Sequence, residues 1–362
     1  PTAAHRPSPD QPAPPLDRPP PGPLTAHSPA ATSALAAALR WHRPLMLFSA
    51  AMLLMAALSA LGLLIDDRVV VGDPVWLKPF KFSVSFALYG VTLAWMLSLR
   101  TSHPPSTRLP GGISRRLTAL GGAAGTAIVI AGSVEMAIIV SAAALGRRSH
   151  FNVATDLERL LFALMGLTII VLWVATLVIA LLLLRERLRE PAEAWALRLG
   201  ALTALVGLAL GGLMLTPTPE QASGEISGVL GAHSVGVPDG GPGMPLTGWS
   251  TVGGDLRIPH FVGMHALQLL PLLVPCLRLA ARRLPRLRDT GVRLRLTLVA
   301  AGGYSCVVLL VTWQALRGQP LVRPDTLTLT AWTALAVATL AATALALRPT
   351  PRSRTTTPEA VR

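Results

Sequence analysis

The chain reads as an all-α, polytopic integral membrane protein with eight transmembrane helices and both termini in the cytoplasm. Its composition, the length of its apolar runs and the placement of its arginines each lead there. Of 362 residues, 51% are hydrophobic and only 14% charged, against about 25% charged in an ordinary soluble domain. Eight apolar runs follow one another: 44–65, 82–99, 117–145, 160–184, 195–215, 259–279, 296–316 and 327–347. Each approaches or exceeds the ~20 residues a helix needs to cross ~30 Å of hydrocarbon. Connections that fall on one side by alternation carry 23 of the 32 Lys and Arg residues and the others carry 9. By the positive-inside rule the richer side, which holds both termini, is cytoplasmic. The expected setting is the cytoplasmic membrane of a bacterium, with the lipid bilayer as the main partner.

A formal net charge of +14 raises the question of a nucleic-acid partner. The basic residues, however, are dispersed through short connections and form no groove-lining patch, so none is expected. Cys276 and Cys306 both lie in apolar runs, which argues against a disulfide or Cys-rich metal site and for two small buried hydrophobes.

The N-terminal residues 1–38 are rich in proline and small polar residues and are expected to be a disordered tail. No cleavage site follows the first apolar run, so no secretory signal is expected. The missing initiator methionine reads as a trimmed or incomplete start. Residues 39–348 form the expected eight-helix domain, and 349–362 a disordered basic tail. Pro44 and Pro259 stand at first-turn positions, where a missing N–H costs nothing. Trp41 and Trp195 stand at run ends as interfacial anchors. The connection 216–258 is the longest, rich in glycine and proline, with four acids, one arginine and His233; at that length it reads as a lid or a disordered flap.

Candidate functional residues collect on the outer side. Ionisable groups at membrane depth are costly and mark functional sites or buried networks. Glu135 lies ten residues before Leu145, hence ~15 Å below the surface, and must be protonated, paired or facing a wet cavity. It reads either as a neutral carboxyl bonded to a neighbouring helix or as a proton relay. The stretch 249–271 holds Asp255, Arg257, His260, His265 and Gln268. His260 and His265 are about 140° off a common helical face and cannot share one metal from a regular helix. His265, ~9 Å down, is placed to meet Glu135 or His150, or simply to bond a neighbouring helix. Pro271 and Pro275 are expected to kink this span, with Gln268 compensating the freed carbonyls.

Arg147 to Asn152, with His150, forms a second polar stretch, and Arg-x-x-His-Phe recurs at 147–151 and 257–261 as the possible trace of an internal repeat. Lys78 and Lys81, the two lysines of the chain, either snorkel to head groups or meet the anionic groups of a ligand. His5, His27, His42 and His103 read as solvated. The Gly pairs 121–122 and 211–212 read as close helix contacts. Phosphate loops, nucleophile elbows, H-E-x-x-H and c-type haem motifs do not occur.

The strings Lys-Pro-x-Lys-Phe, Ser-His-Phe-Asn and His-Phe-Val-Gly-x-His-Ala-Leu-Gln resemble an uncharacterised family of bacterial multi-span membrane proteins. The resemblance spans roughly 41–316 and implies no activity. The leading functional expectation is a redox or binding site in the outer half of the bilayer. In it Glu135 and His265 carry the chemistry. His150, His260 and His265 ligate haem b or a divalent metal, or bind a quinone. Lys78, Lys81, Asn152, Asp255, Arg257 and Gln268 bind a small-molecule or lipid ligand. Alternatives are a proton-coupled small-solute transporter with Glu135 at its centre, and a metal-dependent lipid hydrolase using His150, His260, Asp255 and His233, provided 255–260 is non-helical. A purely structural or sensory membrane protein is the fourth.

Overall fold

In a computed structural model the described residues are 36–101, 111–186 and 188–348. The expected tails fall outside them up to residue 35 and from 349 onward, as do His5, His27 and His103. The helices are α1 (Arg43–Ile65), α2 (Leu77–Thr101), α3 (Gly111–Ala144), α4 (Asp156–Leu184), α5 (Pro191–Leu210), the single turn α6 (Pro219–Ala222), α7 (Arg257–Met264), α8 (Ala266–Ala280), α9 (Thr290–Leu316) and α10 (Thr326–Ala346). Seven are long and apolar enough to cross a membrane, and the bent pair α7–α8 passes the same test when its two helices are taken together. The eight apolar runs thus correspond to these seven helices and the bent pair.

Local chemistry sets the boundaries. Thr155, Asp289 and Asp325 cap α4, α9 and α10, each accepting a backbone N–H of the first turn. His42, expected to be solvated, instead caps α1: its Nδ1 accepts from Leu45 N and its Nε2 donates to Gly122 O of α3 at 3.1 Å. One imidazole thereby closes a helix end and ties two spans.

The first four spans pack around Leu45, Phe48, Leu93, Ile128, Met165 and Ile179, all buried. Helix α5 packs against α7, α8 and α9. At the end away from the long loop, Glu190 before α5 accepts from Arg278 of α8 and Arg293 of α9, both at 2.6 Å. Helix α10 packs chiefly against α9, with 6% of its apolar window buried, so most of its apolar surface is exposed. Cys276 and Cys306 are exposed, contrary to the expectation of burial. An apolar run satisfies lipid and core alike, so hydropathy does not separate the two.

The sixth span departs from expectation. Its bend of 40° falls between α7 and α8 at His265, and α8 runs on through Pro271 and Pro275. The cause is packing on α5. Gly263 of α7 lies against Gly207, where a Cβ would stand 2.3 Å from the Gly263 carbonyl carbon. Ala266 O of α8 lies against Gly200, 2.9 Å from where its Cβ would be. Only bare backbone allows such an approach, and the chain turns between the two contacts. Of the glycine pairs, Gly121 and Gly211 make close contacts, while a Cβ added at Gly122 or Gly212 would meet nothing within 4 Å.

The connection 216–258 is folded, which excludes the flap. Strands β1 (Val69–Val70) and β2 (Asp73–Pro74) pair antiparallel, and so do β3 (Ser234–Val235) and β4 (Gly254–Asp255). Leu230 N donates to Phe151 O at 3.0 Å and Val153 N to Gly228 O at 2.9 Å, stitching the long loop to the α3–α4 connection. Gly231 adopts φ +94°, and a side chain there would strike Met214 O at 2.3 Å; only glycine fits. The two Arg-x-x-His-Phe strings have different backbones. His260 and Phe261 are helical, whereas Phe151 lies in a loop at φ +61°.

Candidate functional site

Glu135 projects from α3 into a fully buried position, 0% exposed. Thr168 of α4 places its hydroxyl 2.8 Å from Glu135 Oε2 and 2.8 Å from Met165 O. A hydroxyl has one proton. If it goes to Met165 O, the carboxyl must carry its own proton and donate to Thr168. If it goes to Glu135, the carboxylate can be bare. The pair can therefore exist in two protonation states with one heavy-atom geometry. On the other side His150 Nε2 stands 3.4 Å from Oε1, and Oε1 has no hydrogen-bond partner.

His150 lies in the α3–α4 connection, with Nδ1 3.2 Å from Ser149 Oγ and its ring 5.8 Å from Phe82 and 6.2 Å from Phe151. Burial, then the Lys78 cation, push its pKa below the ordinary histidine range, against the pull of Glu135. A neutral imidazole beside a buried carboxyl is placed by geometry to exchange a proton with it. Lys78, at the start of α2, has its ammonium 6.0 Å from the Phe82 ring and makes no hydrogen bond or ion pair among the described residues. Of the charges acting on it most strongly Glu135 is the anion, while Lys81, Arg257 and Arg148 are cations.

The folded loop closes this cluster from above. Lys81 Nζ donates to Thr247 O at 2.6 Å. Arg257 donates from Nη2 to Gly248 O at 2.5 Å and to Asp255 at 2.6 Å. Asp255, 0% exposed, also accepts from Ser250 N and Arg257 N, and Asp73 stands 3.8 Å from Arg257. His233 packs edge-on against Phe151 at 4.8 Å and bonds Asp239 at 2.9 Å. Burial pushes the His233 pKa down to about 4, against Asp239 and with Arg257 and Lys78. Burial works to raise the Asp239 pKa, but its bond from His233 and the N–H groups of 233 and 234 hold it below the usual carboxylate range.

Several expected roles change. His265 does not pair with Glu135 or His150; its Nδ1 donates to Gln268 Oε1 at 3.2 Å and its ring stacks edge-on with Phe261 at 4.4 Å, because the bend turns it along its own helix. Gln268 serves His265 and not the carbonyls freed by proline. His260 donates from Nδ1 to Gly207 O at 2.8 Å. Asn152 closes an Asx turn, accepting from Ala154 N and donating to Arg148 O. Asp255 and Arg257 pair with each other and hold the loop. Among the described residues no group of three His, Cys, Asp or Glu side chains could hold a metal ion. The set His150, His260 and His265 is therefore not gathered, nor is the hydrolase set, since α7 is helical from Arg257.

Thr168, Asp239 and Asp73 were not foreseen. Thr168 sits in an unbroken apolar run, where a hydroxyl satisfied by its own helix is ordinary. Asp239 had a readable sign, an acid before Gly-Gly in a turn-rich segment. No family model matches the chain, and no curated protein or solved structure matches it.

Proposed function

We propose that the protein is a proton-coupled carrier of a small solute, with Glu135 and His150 as its proton-exchanging pair in the outer half of the bilayer. The carrying observation is the Glu135 carboxyl, wholly buried, with Oε1 unbonded 3.4 Å from His150 Nε2 and Oε2 shared with Thr168. A carboxyl held so costs several kcal/mol if ionised and unpaired. It therefore responds strongly to a nearby charge. The broken span α7–α8 is a second support, since discontinuous helices line the binding sites of many carriers. The arginine asymmetry supports cytoplasmic termini in a bacterial plasma membrane, with the folded loop outside.

The test is proton movement into proteoliposomes that enclose a pH-sensitive dye, challenged with a panel of small anionic, neutral and cationic solutes. Wild-type protein is expected to couple at least one solute to lumenal acidification, and Glu135→Gln to abolish this while folding normally. A panel in which no solute drives Glu135-dependent proton movement refutes the proposal.

A redox reading keeps one observation in its favour. The bond from His260 Nδ1 to Gly207 O fixes the tautomer that leaves Nε2 as a lone-pair donor, the state an axial haem ligand needs. An absorption spectrum of the purified protein without a Soret band removes it.

A further inference from the structure

We infer that the solute is a small monocarboxylate, carried together with a proton, and that Lys78 is the group that binds its carboxylate. This rests on the carrier reading above and names its substrate class.

The argument starts from which charges are already satisfied. Arg257 is spent on Asp255 and Gly248 O, Lys81 on Thr247 O with Asp73 nearby, and Arg147 on Glu158. His233 is held by Asp239. Lys78 alone among these cations has no hydrogen bond or ion pair to the described residues; its nearest recorded group is the Phe82 ring at 6.0 Å. That ring stands 5.8 Å from His150, which stands 3.4 Å from the unbonded Oε1 of Glu135. An ammonium without a partner and the imidazole that reaches Glu135 Oε1 thus flank one aromatic ring.

Electrostatics couple the two ends. With Glu135 ionised, its charge offsets that of Lys78, and an added anion would face a carboxylate. With Glu135 protonated, Lys78 stands near Lys81, Arg257 and Arg148 with its nearest countercharge gone. At low dielectric such a cation strongly favours an anion. Proton and anion therefore bind together, one charge each, and the loaded site is as neutral as the empty one. Protonation adds H⁺ to a Glu135 oxygen, the ligand adds one negative charge at Lys78, and no covalent bond changes. A single point cation matches a monoanion; phosphate dianion would bring a second charge that one ammonium does not balance. The Phe82 ring, 6.0 Å from the ammonium, supplies the apolar surface for a short organic tail.

The test uses the same proteoliposomes, with pyruvate and L-lactate as probes and inorganic phosphate, glucose and choline as controls. Pyruvate or lactate is expected to acidify the lumen without developing a membrane potential, so that valinomycin and potassium leave the rate unchanged. Lys78→Gln is expected to slow this at least tenfold, and Lys78→Arg to restore part of it, which shows that the variant site still folds. Undiminished monocarboxylate flux in Lys78→Gln overturns the inference. So does Glu135-dependent proton movement driven by phosphate, glucose or choline but by neither carboxylate, and in that case the carrier reading survives. Absence of Glu135-dependent proton movement with every solute fails the carrier reading as well.

Discussion

Replacing Arg257 by alanine should release the folded loop while leaving the spans intact. The Asp255 carboxyl is 0% exposed and accepts from Ser250 N, Arg257 N, Arg257 Nε and Arg257 Nη2 at 2.8, 2.9, 3.0 and 2.6 Å. Alanine keeps the backbone donor and removes the guanidinium, together with its bond to Gly248 O. Breaking a buried ion pair by deleting one partner costs about 3–5 kcal/mol. The Arg257 side chain is 23% exposed, so water can partly replace it, and the lower figure of about 3 kcal/mol applies. At about 1.4 kcal/mol per tenfold, local opening should become about a hundredfold more frequent. Amide hydrogen exchange of the purified protein reads this directly. Peptides covering 244–257 should exchange about two decades faster, while peptides from α3 and α4 should not change. Arg257→Lys should recover part of the protection. If the loop peptides change less than about threefold, the Asp255–Arg257 pair does not hold the loop. Equal acceleration everywhere would instead mean that the pair supports the whole bundle.

Two other outcomes follow from the packing and titration of neighbouring groups. Gly207→Leu should drive α5 and α7 apart, because even its Cβ would stand 2.3 Å from the Gly263 carbonyl carbon; the melting temperature in detergent should fall sharply. Gly212→Ala, with nothing within 4 Å, should stay within about 0.5 kcal/mol of wild type, and equal melting temperatures for the two variants would contradict the crossing. The loop should also loosen in acid. His233 has its pKa lowered from 6.5 to about 4, so between those values the unfolded loop binds a proton that the folded loop does not. Stability is then fully present above pH 6.5 and is lost as pH falls toward 4, at up to about 1.4 kcal/mol per unit. Exchange of the 233–255 peptides should rise over that window, and His233→Gln should flatten the rise.

The number of spans was legible in the sequence because the bilayer is a severe solvent. Backbone must be satisfied within each segment and apolar length must match ~30 Å, so each helix declares itself alone. Glu135 was legible for the same reason, as one carboxyl in a run where each ionisable group carries a large cost. His150 was legible as part of a polar turn, but its partner was not. The chain places 14 residues between it and Glu135, and only the packing of α3 against α4 brings the ring back over the carboxyl and adds Thr168.

Where the outcome depended on contact between distant segments, the sequence alone decided little. Pro271 and Pro275 pointed to a kink, yet the chain bends at His265 because Gly263 and Ala266 each seat on a separate glycine of α5. Asp255, Arg257 and Asn152 carried the residue types of a ligand site. The loop fold commits them to one another and to backbone. A side chain's type and depth are properties of one segment, and hydropathy records them. Whether it is spent on a neighbour or left free is settled by which helices meet. Lys78 is left without a partner in the same fold that occupies Lys81 and Arg257.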